Sequence, residues 1–181
     1  MKKTIWICSL LFLFGAIAFT AITPARVTRP TLRSMEKSLD ERINTMWPDN
    51  PLTVVGPTRA VYLEGYGAVF TAEMSLANEG ISLMHTILTP QDKALVVKKK
   101  NERVPQLRKA LEEALVGTAA SLDTVPPNEQ VVIQVVLDRY TWEESPSYPA
   151  EMIFQATRQK LLDVKHANGA GMETAIKITE H

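Results

Sequence analysis

The apolar positions change their period several times along this chain, and each change marks an element. Ile5 to Phe19 is an uncharged apolar run behind Lys2 and Lys3, with no polar face to turn outward from a core. Leu32, Met35, Leu39, Ile43 and Met46 then recur at three- and four-residue steps, which predicts an amphipathic helix at about 32–47. Pro48 and Pro51 end it, because neither can donate the next backbone hydrogen bond. Val61 to Glu64 reads as a short strand. Beyond Gly65-Tyr66-Gly67, the apolar set Ala68, Phe70, Ala72, Met74 and Leu76 alternates with Val69, Thr71, Glu73 and Ser75, the period of a strand with one buried face. The two glycines suit a tight turn or a bulge.

Asn78-Glu79-Gly80 opens a loop. Thr89-Pro90-Gln91-Asp92 is a helix start, with a threonine cap, proline at the first helical position and an acid in the first turn. This helix is expected to reach about Glu102, with Pro105 kinking or breaking it before a second apolar stripe of Leu107, Leu111, Ala114, Leu115 and Ala119. Val131 to Leu137 is apolar on both sides and predicts a central strand covered on both faces. Tyr140 to Tyr148 is a polar-aromatic loop. Pro149 is expected to open a helix running to about Ala167 and stopped by Asn168-Gly169. Met172 to Ile178 alternates again as a last strand. The order α-β-β-α-β-α-β implies an α/β or α+β domain with a small mixed sheet of about four strands and helices packed on it. Its first pair is antiparallel, and the long helical crossovers favour parallel neighbours.

Composition then narrows the class. Residues 1–25 have the basic start, apolar run and small-residue cleavage frames of a signal peptide (Ala16-Ile17-Ala18 or Thr23-Pro24-Ala25). Residues 4–22 also approach the length of a single membrane span, leaving an uncleaved anchor as the alternative. The chain is therefore expected to be exported, periplasmic or extracellular, or tethered to an inner membrane. Residues 26–181 fit one domain. The only cysteine, Cys8, lies in the leading segment, so the domain carries no disulfide and no cysteine nucleophile. Twenty basic residues balance twenty acidic ones, which argues against a nucleic-acid binder.

No motif brings a reaction with it. Gly65-Tyr66-Gly67 and Gly169-Ala170-Gly171 lack the third glycine and following helix of a dinucleotide cradle, and read as turns. His85, His166 and His181 have no metal-ligand spacing. No serine elbow or zinc-protease helix is present. The sequence nominates no catalytic residue, metal or cofactor. Two features remain as partner-binding candidates. One is the loop carrying Tyr140, Trp142, Glu143 and Tyr148, placed after a strand where α/β sheets tend to bind ligands. The other is the basic run Lys98, Lys99 and Lys100, which could meet an anionic polymer if its interleaved acids leave it free.

The segment Arg59-Ala-Val-Tyr-Leu-Glu-Gly-Tyr-Gly-Ala-Val-Phe70 resembles one found in uncharacterised exported bacterial proteins. That resemblance implies an envelope setting and no activity. The leading reading is a non-enzymatic envelope domain that binds a protein or polymer. The alternatives are a hydrolase whose carboxylates (Glu64, Glu73, Asp138 or Glu143) meet in a cleft, and a structural protomer of an assembly.

Overall fold

A computed structural model describes residues 27–49, 52–77, 88–143 and 147–181. The expected signal peptide at 1–25, the loop expected to open at Asn78, His85 and residues 144–146 of the expected polar-aromatic loop lie outside the described residues. Within them the chain is a mixed α+β fold, with helices α1 (Arg29–Asn44), α2 (Pro90–Ser121), α3 (Arg158–His166) and α4 (Met172–Ala175). The strands are β1 (Thr53–Leu63), β2 (Gly67–Ser75), β3 (Gln130–Leu137), β4 (Glu151–Thr157) and β5 (Lys177–Glu180). They form one sheet in sequential order, antiparallel throughout except for the parallel β2–β3 pair that α2 connects. None of the described helices is long and apolar enough to cross a membrane.

The sheet has five strands, not four, because the helix expected from Pro149 begins only at Arg158. Met152, Phe154 and Ala156 are buried while Glu151, Ile153, Gln155 and Thr157 are half-buried, a period of two that makes Glu151–Thr157 a strand. The helical period takes over afterwards, with Leu161 and Val164 buried. Its predicted stop is present: Asn168 and Gly169 adopt positive φ, and the Gly169 N–H donates to the Val164 carbonyl. β1 starts well before Val61, since two register shifts around Gly56 accommodate Gly56-Pro57 in the strand. α2 runs unbroken through Pro105, which is exposed, because Val104 and Leu107 on either side are buried against the sheet.

One sheet face makes the core. Phe70, Ile133 and Phe154 lie opposite one another across β2, β3 and β4, and Ala72, Val135 and Met152 form the next row. All are buried. The buried apolar side chains of α1, α2 and α3 join the same cluster. The other face carries the rows Val61, Val69, Val132, Gln155 and Arg59, Thr71, Gln134, Ile153. Val132 there is buried, but Gln134 and Val136 are only half-buried, so β3 is central in the sheet without being covered equally on both sides.

The β1–β2 turn is pinned to the start of β3. Gly67 has φ +136°, and a Cβ added to it would lie 1.9 Å from the Gln130 carbonyl oxygen, so only glycine fits. The Glu129 carboxylate accepts from the Tyr62 hydroxyl at 2.8 Å and the Gly65 N–H at 3.1 Å.

Candidate functional site

Lys100 lies in the interior. It sits in phase with Val104, Leu107 and Leu111 on the inward stripe of α2, and its side chain is fully buried together with that of Glu143. An ammonium removed from water must be paired and hydrogen-bonded. Lys100 Nζ donates to Glu143 Oε1, to the Tyr148 hydroxyl at 3.2 Å and to the Asp138 carbonyl at 3.3 Å, which uses all three of its protons. Glu143 in turn accepts from Lys100, from the Tyr148 hydroxyl and from the Tyr140 N–H at 3.0 Å.

Aromatic rings enclose this pair. Lys100 Nζ stands 4.2 Å from the Tyr140 ring centroid and 5.6 Å from that of Tyr148. Trp142 stacks on Tyr140 at 5.3 Å, Lys93 Nζ lies 5.4 Å from the Trp142 ring centroid, and Arg139 lies over Tyr148. Three cations and three rings thus form one chain of contacts between α2 and the β3–β4 connection, each contributing modestly. Burial pulls the Glu143 carboxyl upward, but the hydrogen bonds from Lys100, Tyr148 and the Tyr140 N–H, with the Lys100 charge, outweigh it and hold it below its ordinary value. Burial, reinforced by the Glu143 carboxylate, pushes the Tyr148 hydroxyl well above its ordinary value.

This arrangement holds protons still. Every donor on Lys100 has an acceptor, both carboxylate oxygens are engaged, and both charged side chains are shut off from solvent. It latches the β3–β4 connection onto α2. Of the seven residues the sequence nominated, the structure brings Lys100, Glu143, Tyr148 and Tyr140 together, with Trp142 stacked behind them. Lys98 points to solvent and pairs with Glu102 at 3.9 Å, while Lys99 is half-buried. The basic run therefore divides between interior and surface. Arg103, one turn on, is also buried; it donates to the Leu76 carbonyl at 2.5 Å and lies 4.7 Å from the Trp47 ring.

Of the four carboxylates of the hydrolase reading, only Asp138 and Glu143 are neighbours, with the Asp138 main-chain carbonyl and the Glu143 carboxylate both on Lys100. Glu64 stands in the hairpin turn before β2 and Glu73 near its far end, while Glu143 is sealed against Lys100. A cleft of about 530 Å³ elsewhere is lined by Arg108, Lys109, Glu112 and Glu173. Arg108 already pairs with Glu180. Burial raises the Glu112 carboxyl, Arg108 opposes that, and Glu173 and Glu113 add to it.

The sequence reading missed the surface around β1. Among the described residues, five large apolar side chains are markedly exposed; Val61, Leu63 and Tyr66 cluster at the turn end of β1, while Val55 lies at its other end, beyond Arg59. Val61 continues across the open face into Val69 and Val132. Polar residues bound this corner: Thr71 donates to Gln134 at 3.1 Å, and Gln134 donates to Glu151. Part of the signal was present in the sequence, since the period of two sets the apolar Val69 on the same side as Thr71 and Glu73. Comparisons with protein-family models, curated proteins and solved structures find no match.

Proposed function

We propose that this chain is a non-enzymatic, exported envelope domain that binds a protein partner through the open sheet face at β1. The observation that carries this reading is the concentration of exposed apolar side chains on β1 and its turn. Scattered exposed apolar residues need no explanation, but contiguous ones mark interaction surfaces. A protein fits better than an anionic polymer, because the corner is aliphatic and the basic run is divided between ion pair and interior. The internal satisfaction of the Lys100 cluster favours binding over hydrolysis, which needs polar groups converging on an accessible point.

Site-specific photo-crosslinking in living cells tests this. A crosslinker at position 63 should give one discrete adduct, lost when Val61 is changed to lysine. The same crosslinker at position 37, whose lysine is 79% exposed on α1, should not give that adduct. The absence of any adduct from position 63, or the same adducts from both positions, overturns the reading.

A further inference from the structure

Three side chains of α1 reach the outer edge of β1, where another strand would otherwise sit. Glu36 Oε1 accepts from the Ala60 N–H at 2.7 Å, and Arg29 donates to the Ala60 carbonyl at 2.8 Å. Asp40 Oδ1 accepts from the Thr58 N–H at 3.0 Å and from the Thr58 hydroxyl. Arg29 and Glu36 also pair with each other at 2.8 Å. Ala60 thus has both its donor and its acceptor taken, as in a hydrogen-bonded β pair, but by side chains. Leu32, Leu39 and Ile43 clip the helix down on the core. Tyr62 turns its backbone groups the same way as Ala60, by strand alternation, and none of these three side chains bonds to it.

We infer that the outer edge of β1 is a strand-pairing surface kept closed by α1, and that the partner it fits is β1 of a second copy of this chain. An exposed edge is a template for further pairing, and covering it with a helix is one of the ways proteins prevent that. The fit to a second copy comes from the strand itself. Antiparallel pairing about a two-fold axis at Ala60 sets Ala60 against its mate, Thr58 against Tyr62 and Arg59 against Val61. No like charges are directly opposed, and each half-exposed Val61 gains a neighbour across the joint. The contact is isologous and closes as a dimer. This edge is separate from the open face proposed above for a protein partner.

The test is light scattering after size exclusion on the full-length protein and on Glu36→Ala/Asp40→Ala, across about a hundredfold range of concentration. The unsubstituted protein should stay monomeric where the variant dimerises. Adding Ala60→Pro should restore the monomer, since it removes only an outward N–H. Lys37→Ala/Glu41→Ala, on the exposed side of α1, should change nothing. A variant that stays monomeric throughout, or whose association survives Ala60→Pro, overturns the inference. Should the double variant lose its circular dichroism, hydrogen exchange of the unsubstituted protein decides. The Ala60 amide should then exchange about tenfold or more ahead of Phe70, by local release of α1. Equal protection of the two overturns the inference.

Discussion

Lys100→Met removes one charge from a pair that is wholly out of water. Glu143 would keep the Tyr148 hydroxyl and the Tyr140 N–H, yet its charge would be uncompensated in a site with 0% side-chain exposure. Breaking such a pair from one side costs about 3–5 kcal/mol. For a domain of this size that corresponds to a fall of about 6–20 °C in melting temperature. Glu143→Leu alone should cost a similar amount, because it strands the ammonium with only the Asp138 carbonyl, the Tyr148 hydroxyl and two ring faces. Making both changes together removes both charges. What remains is the loss of partners for the Tyr148 hydroxyl, the Tyr140 N–H and the Asp138 carbonyl, at least about 1 kcal/mol each. The double variant should therefore be about as stable as either single one, giving a coupling of at least about 2 kcal/mol. Urea denaturation followed by circular dichroism, on all four proteins, measures this cycle. A double variant whose loss equals the sum of the single losses within about 0.5 kcal/mol would refute the latch.

The same cluster sets the response to pH. Glu143 holds its proton less tightly folded than unfolded, so its contribution is present above the ordinary carboxyl value of about 4.3 and is lost as pH falls through the lower folded value. Tyr148 holds its proton more tightly folded, so its contribution is present below about pH 10 and is lost as pH rises towards the raised folded value. In thermal melts, Glu143→Gln should flatten the acid limb and Tyr148→Phe the alkaline limb. In the hairpin turn, Gly65→Ala meets no atom within 4 Å but must hold φ +80°, costing about 1–2 kcal/mol. Gly67→Ala also collides with the Gln130 carbonyl and should lower stability by at least about 3 kcal/mol, a difference that paired denaturation curves will show.

Local chemistry was the most legible part of the chain. Thr89 and Asp92 read as a helix start and form a reciprocal capping box, and β2 follows its alternation from Gly67 to Ser75. β4 was hidden because Pro149 resembles a first helical residue and Ile153 blurs the period of two, so the helical period of Leu161 and Val164 appeared to begin too early. The start of β1 was hidden by Gly56-Pro57, which reads as a break until the bulges are seen. The Lys100 cluster was only half legible. Its place four residues before Val104 and seven before Leu107 put it on the buried stripe, but three consecutive lysines drew attention to charge over phase. Its partners lie 43 and 48 residues away, a separation that only the tertiary fold closes.

The sequential strand order also has a consequence in time. β1 and β2 pair as soon as both have been made, and α1, already synthesised, can cover the outer side of the hairpin at once. Nothing guards the inner side in the same way. β2 must wait for β3, which follows in sequence only after α2. Wherever the chain emerges amino terminus first, from a ribosome or across a membrane, that order opens an interval before β3 arrives. For that interval the nascent chain offers the main-chain groups of β2 with Phe70 and Met74 uncovered beside them, so the stretch between Ser75 and Gln130 sets how long a chaperone would need to stay.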